Sequence, residues 1–481
     1  MVLLAESGDD VVVTYLTGLL YTRIVEEFNK LPKERLEKIQ SRVNIIDISG
    51  SSMDLFNLPE FAPAFEALYR STPLTCLTSK REFSGLPKPT LAIVDPVLPY
   101  VNAGIRKVAS SEEVPMLCWK SVNIGITMLE WTPKDSFGGN LELWETADKQ
   151  TKEDPVDFAS RTFYGVKGDA ISRIPGYPPI YDYERFPQEI GMDPKLNIIA
   201  LYSAWKNITA SQGIVSISTS VLEKEAAEAF REYLRQSGKD FYLLGFVSGG
   251  IPLPKGDADA ETLNFLSKMQ KEHGEKSVIY ISFGTNFWPS DPAKLYAVID
   301  ELIDSRHPFF LVCPSPFASV PDDVISKIRG SGIGYFTKWA SQESILQHPA
   351  TGWFITHCGW NSVQEAFRYR VPMICWPMAV DQPFNAVLIT LKHRAGFELI
   401  SVRTGDKGMR RPYRFEQNAP EPQFTVEAVK NEFRQVLSKL SGEEGRLVRQ
   451  NADRISGSID ELWEGSGEAS LDFGRLLKKY V

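Results

Sequence analysis

Short apolar runs alternate along the chain with longer amphipathic ones, and this alternation predicts its elements. Residues 11–16 (VVVTYL), 43–48, 91–94, 114–119 and 213–218 read as strands. Between them, residues 19–29 place Leu20, Ile24, Val25 and Phe28 on one helical face, residues 59–70 open a helix with a proline, and residues 222–235 form a long Ala/Glu-rich helix. Pro96 blocks continuation of the third strand. Residues 131–140 and 173–185 read as loops; the second, dense in Pro and Tyr, suits the lining of an apolar small-molecule pocket.

The rhythm breaks at residues 246–260, FVSGGIPLPKGDADA, and then restarts. Strands are expected at 277–283, 309–312 and 333–337, and helices at 292–304, 426–440, 445–455 and 470–480. Strands alternating with helices predict an α/β protein with mostly parallel sheets covered on both faces. The division expected is an N-terminal domain over 1–245, a linker over 246–275, a C-terminal domain over 276–455, and a terminal helical segment over 456–481 that packs back on the first domain. Ligands in such sheets sit at the carboxyl ends of the strands.

Composition narrows the function. At 481 residues the chain exceeds one typical core. A net charge of −8 argues against a nucleic-acid or anionic-membrane surface as main partner. The cysteines, Cys76, Cys118, Cys313, Cys358 and Cys375, are scattered without a metal-like pair, which suits a reducing, cytoplasmic setting. No apolar run reaches transmembrane length, and MVLLAESGDD lacks the basic flank and apolar core of a leader. Asn207-Ile208-Thr209 matches a glycosylation sequon, a pattern short enough to arise by chance.

The candidate chemistry concentrates in residues 339–382, WASQESILQHPATGWFITHCGWNSVQEAFRYRVPMICWPMAVDQ. A buried strand (352–355) runs into the polar turn Thr356-His357-Cys358-Gly359, and a helix follows from 363. The free N–H groups and the dipole of a helix start favour a phosphate. His357, Asn361 and Ser362 flank that start and can donate to phosphate oxygens. Glu365 lies one turn further on the same face, where it can accept from a ribose diol. The ring of Trp339 can stack on a flat base, and Asp381 with Gln382 can read sugar hydroxyls. Taken singly, the tryptophans are core residues, Asn361 and Ser362 are caps, Glu365 is a solvated carboxylate and His348 is structural. Their combination in one stretch is what raises the functional reading.

These 44 residues resemble the signature box of the UDP-sugar glycosyltransferases of plant natural products and their fungal relatives. The matching positions are Trp339, Ala340, Gln342, Leu346, His348, Phe354, the unbroken run His357–Ser362, Glu365, Val371-Pro372, Trp376-Pro377 and Asp381-Gln382. Arg370 departs from the pattern, which has glycine there. The resemblance implies a GT-B architecture of two facing Rossmann-like domains. It implies that Trp339 stacks on uracil with Ala340 bonding the base, that Gln342 and Glu365 hold the ribose, and that His357, Asn361 and Ser362 bind the diphosphate. Trp360, Asp381 and Gln382 would contact the sugar, with Gln382 pointing to glucose. Thr285, in the weaker match Ser282–Thr285, would lie near the diphosphate. The implied reaction is inverting transfer of a hexose from a UDP-sugar to a hydroxyl of a small lipophilic acceptor, without metal or other cofactor.

The same family uses a histidine after its first N-terminal strand as general base, oriented by an aspartate. Asp95, ending the strand 91–94, matches that aspartate, but the first histidine of this chain is His273. Residues 11–16 resemble the family's second strand. The expectation is therefore that the first strand and its catalytic loop are missing, through truncation of the sequence, and that the N-terminal sheet is interrupted beside residues 11–16. The alternative function is a UDP-sugar-binding protein impaired in transfer. A nicotinamide-dependent dehydrogenase would require a GxGxxG turn after an early strand, which is absent.

Overall fold

The computed structural model describes the chain except residues 51–53, 55, 151, 165–168, 192, 247–259, 317 and 417. Most of the predicted break at 246–260 lies outside the described residues. The C-terminal half is built on six parallel strands: β11 (Val278–Ser282), β12 (Phe309–Val312), β13 (Gly334–Thr337), β14 (Thr351–Thr356), β15 (Met373–Cys375) and β16 (Gly396–Glu398). Their spatial order, β13-β12-β11-β14-β15-β16, is that of a doubly wound dinucleotide-type sheet. β11, β12 and β14 are buried along their whole length, which explains their continuous apolar runs. The order reverses between β11 and β14, so the chain leaves these neighbours in opposite directions and opens a crevice at their carboxyl ends.

The N-terminal half has β1 (Val13–Thr17), β2 (Val43–Asp47), a short hairpin of β3 (Leu74–Thr75) and β4 (Glu82–Phe83), then β5 (Ala92–Val94) and β6 (Met116–Lys120). A second two-stranded piece, β7 (Ile171–Ser172) with β8 (Ile180–Tyr181), precedes β9 (Gly213–Ser216) and β10 (Asp240–Leu243). The parallel sheet runs β10-β9-β6-β5, and β1 pairs in parallel with β2 in a separate sheet. Among the described residues no strand joins β1 to β5, so the sheet is interrupted beside residues 11–16. Val12 and Tyr15 of that edge are exposed.

Several elements add to what the sequence shows. Residues 260–273, assigned above to the linker, form the helix Ala260–His273. Leu266 and Met269 are buried, and the Phe265 ring meets Phe310 and Tyr335, so this helix covers the C-terminal sheet. The helices Ile124–Trp131 and Pro194–Ala210 were not expected. The first is buried at every position, so it carries no polar stripe by which a helical period can be read. At the other end, the helix Glu468–Tyr480 lies on β10: Leu476 enters the cluster of Leu117, Val215 and Tyr242, and Asp472 accepts from the Leu243 N–H at 2.7 Å.

Candidate active site

The parallel register Ser282↔Thr356 sets the loops after β11 and β14 side by side. The imidazole of His357 is wedged between two glycines. A Cβ on Gly284 would lie 2.9 Å from His357 Cε1, and one on Gly359 would lie 2.5 Å from its Nε2. Gly284 also holds φ +72°, a left-handed conformation that glycine adopts without cost. Burial lowers the His357 pKa to about 4, so near neutrality the ring is an uncharged donor. Cys358, at φ +64°, is held in its left-handed conformation by its N–H on Thr356 Oγ1 (3.1 Å) and its carbonyl on Asn385 Nδ2 (2.8 Å). The helix Trp360–Arg368 then begins, with Asn361 exposed in its first turn and Ser362 buried. Thr285, exposed, follows Gly284 on the facing loop.

Trp339 follows β13 and is 63% exposed, an unusual state for a large aromatic and the one a stacking platform requires. Ala340 beside it is half-buried. Gln342 opens the helix Gln342–Gln347 and links the next groups: Tyr280 Oη donates to its Oε1 at 3.1 Å, and its Nε2 donates to Ser362 Oγ (3.1 Å) and Glu365 Oε2 (2.6 Å). Burial raises the Glu365 pKa to about 7, with Gln342 opposing, Glu343 adding, and Arg368 and Arg23 opposing. Gln342, Glu365 and Ser362 are thus joined by hydrogen bonds, with Asn361 and His357 flanking the same helix start and Trp339 three residues before Gln342.

Asp381 and Gln382 stand at its far end. Asp381 is buried and accepts from Asn385 Nδ2 at 2.8 Å. Burial lifts its pKa to about 6, with Glu130 adding and the Asn385 amide and Trp360 N–H opposing. Gln382 Oε1 is occupied by the N–H groups of Met378 (2.9 Å) and Ala379 (3.0 Å), so its Nε2 is the group left to donate to a ligand. Trp360 is expected from the resemblance to contact the sugar. The residue is only 2% exposed and joins the hydrophobic core, and its backbone N–H lowers the Asp381 pKa. Arg370, the departure from the glycine pattern, takes φ +57°, and its guanidinium bonds Asp460 (2.5 Å) and the Asp453 carbonyl (3.1 Å).

In the N-terminal half, Asp95 follows β5 and is exposed, accepting from the Val97 N–H at 3.1 Å. The surrounding protein raises its pKa, and the Val97 N–H and Lys120 oppose that shift. Asn207 of the sequon is buried and donates to the carbonyls of Pro96 (2.7 Å) and Leu98 (2.9 Å), which fixes the loop behind Asp95. Lys120, ending β6, forms a buried ion pair with Glu130 at 3.0 Å. The sequence reading missed Asn385 and Asn123. Asn385 had a signal, four residues after Asp381 and thus one helical turn away. Asn123 caps a helix that the pattern hid.

Residues 221–406 match the family model of the UDP-glucoronosyl and UDP-glucosyl transferases. The UDP-glycosyltransferase eriJ of Hericium erinaceus is 29% identical over 454 residues, covering 90% of this chain and 85% of that protein. Among solved structures, a transferase from Siraitia grosvenorii in complex with UDP superposes with a TM-score of 0.68 at 19% identity, over 99% of this chain and 94% of that one. Phytolacca americana UGT2, complexed with UDP-2-fluoro-glucose and pterostilbene, gives 0.64 at 18% identity, over 98% and 99%. The shared fold is GT-B. The chain is similar to the UDP-glycosyltransferases, through the family model over residues 221–406 and through its relatives over most of its length.

Proposed function

We propose that this enzyme transfers glucose from UDP-glucose to a hydroxyl of a small lipophilic acceptor, with inversion at the anomeric carbon and without a metal. The observation that carries the reading is the exposed Trp339 ring together with the hydrogen-bonded Gln342–Glu365 pair beside the helix start at Trp360. An aromatic platform, a diol acceptor, an anion site and, in Asp381 and Gln382, a second hydroxyl reader suit uracil, ribose, diphosphate and hexose. UDP-2-fluoro-glucose bound to the Phytolacca enzyme supports a glucosyl donor, and pterostilbene there supports a phenolic acceptor.

In this reading the acceptor oxygen attacks C1 of the sugar while the bond from C1 to the diphosphate oxygen breaks. The charge gathering on UDP meets the helix N-terminus, the neutral imidazole of His357, Asn361 and Ser362. Thr285 faces the same diphosphate from the loop after β11. On the acceptor side, Asp95 is the carboxylate that serves proton removal, directly or through a base that it orients. Among the described residues no group of three or more His, Cys, Asp or Glu side chains is arranged to hold a metal, and none of the helices is long and apolar enough to cross a membrane.

The test is UDP release from UDP-glucose with a panel of phenolic acceptors, with and without EDTA, and NMR of the glucoside formed. Acceptor-dependent release, a β-glucoside from the α-linked donor, and no effect of EDTA are expected. Tight UDP-glucose binding with no transfer to any acceptor would favour the binding-protein alternative. Failure to bind UDP-glucose would remove the donor assignment.

A further inference from the structure

Asn385 occupies a position that neither the family pattern quoted above nor the proposed donor contacts assign. It is fully buried, one turn into the helix that Asp381 precedes. All its polar capacity is used. One amide hydrogen goes to Asp381 Oδ2 (2.8 Å), the other to the Cys358 carbonyl (2.8 Å), and its Oδ1 accepts from Asn123 Nδ2 at 2.6 Å. Asn123 belongs to the N-terminal domain and is itself fully buried. Its Oδ1 caps the helix Ile124–Trp131 by accepting from the Ile126 N–H at 2.6 Å.

The same helix start is anchored deeper in its own domain. The N–H groups of Ile124 (3.0 Å) and Gly125 (2.9 Å) donate to the Glu223 carboxylate, which also receives the hydroxyls of Tyr177 and Ser218. The Tyr177 ring meets Phe384, the neighbour of Asn385, edge-on at 6.4 Å. One buried amide pair thus joins a rigid point of the acceptor domain to two parts of the donor site: the left-handed turn at Cys358 and the Asp381 carboxylate. An Asn385 amide turned over would set its oxygen against Asp381 and the Cys358 carbonyl, so the Asn123 contact also fixes which way the amide faces.

We propose that Asn385 and Asn123 are positioning residues that orient Asp381 toward the donor sugar, so that closure of the two domains on each other organises the sugar subsite. The inference rests on the reading of Asp381 as a sugar contact. UDP lacks the hexose and makes no demand on Asp381, so the ratio of the UDP and UDP-glucose dissociation constants isolates the sugar's share of binding.

Both constants are measured by calorimetry for the full chain and for Asp381→Asn, Asn385→Ala and Asn123→Ser, with the melting temperature of each. Serine retains the helix cap but cannot span to Asn385. The expected result is a loss of UDP-glucose affinity relative to UDP of about tenfold for Asn385→Ala and about threefold for Asn123→Ser, each the scale of one buried hydrogen bond. Turnover with UDP-glucose falls with them while UDP affinity holds. If Asp381→Asn leaves the ratio unchanged, the sugar-contact reading fails. If Asp381→Asn lowers the ratio and Asn123→Ser does not, the positioning role is overturned. Parallel loss of both affinities and of melting temperature overturns it as well, since that is the behaviour of a merely structural residue. Should Asn385→Ala not fold, the Asn123→Ser ratio decides alone.

Discussion

Glu365 gives the sharpest prediction, because burial holds its carboxyl near pKa 7 and the ribose diol it is proposed to bind needs the ionised form. In the free protein the pKa rises from 4.5 to about 7, with desolvation the largest cause. A bound diol donating two hydrogen bonds stabilises the carboxylate and pulls the pKa back down. UDP-glucose affinity then follows the ionised fraction, so the dissociation constant weakens about tenfold between pH 8 and pH 6. Binding at pH 6 releases close to one proton, and at pH 8 close to none. Calorimetry in two buffers of different ionisation enthalpy counts that proton. Glu365→Gln removes the release and flattens the pH dependence.

Asp381, lifted to about 6, contributes a smaller share at the acid end, which Asp381→Asn isolates. His357, near 4, stays neutral throughout. The unliganded protein supplies a check of opposite sense. A carboxyl whose folded pKa lies above its unfolded value stabilises the fold at low pH, and that contribution is lost as pH rises from 4.5 through 7. Against Glu365→Gln, wild type should therefore lose on the order of 2–3 kcal/mol between pH 5 and pH 8. A UDP-glucose affinity that is flat from pH 6 to 8, or equally steep in Glu365→Gln, would refute the argument.

Trp339→Ala should weaken UDP by about tenfold, the scale of one base–aromatic stack, with no change in melting temperature because the ring is exposed. Gly359→Ala should cost more affinity than Trp339→Ala, since the new Cβ meets His357 Nε2 at 2.5 Å and displaces the imidazole; titration with UDP compares them. Arg403 is buried between Glu184 (3.3 Å) and Glu398 (3.0 Å), and Arg403→Met should destabilise the fold by about 3–5 kcal/mol, read by urea unfolding, because it leaves Glu184 without its ion-pair partner.

The donor half of the site was legible because it is nearly contiguous. A strand, a glycine-bearing turn and a helix start are consecutive in the chain, so residues that touch one phosphate lie close in sequence. Gln342 and Glu365, 23 positions apart, meet because β14 and the helix after it return the chain beside the helix Gln342–Gln347. The acceptor half was less legible. Its helix Ile124–Trp131 is packed too completely to show a polar face, and Asn123 meets Asn385 across 262 positions. Trp360 illustrates a different limit: the pattern names the residue, but only the packing shows that it is buried in the core. The linker reading at 246–275 ran into the helix Ala260–His273, although its buried positions Thr262, Leu266 and Met269 recur at helical spacing; the Gly/Pro-rich residues before it drew the boundary too far.

The carboxylates of this protein divide by what occupies their oxygens, and that division separates structural from functional groups better than burial does. Glu398 is buried, which raises its pKa, but Arg414 and Arg403 outweigh burial and hold it below the ordinary range. Its oxygens are committed to those two cations, so it can bind nothing else. Glu223 is as deeply buried and has no cation, yet two backbone N–H groups and two hydroxyls fill it. Glu365 differs from both. Burial has raised it toward neutrality, Gln342 bonds one of its oxygens, and it lies on the crevice between Trp339 and the phosphate turn. A partly desolvated carboxylate with spare acceptor capacity is costly to keep unliganded, and neutral hydroxyls relieve that cost without the repulsion a second anion would bring. The helix start beside it takes the anion. The pairing of the two explains why the crevice fits a sugar nucleotide, which presents hydroxyls and diphosphate together, better than a free phosphate or a neutral glycoside.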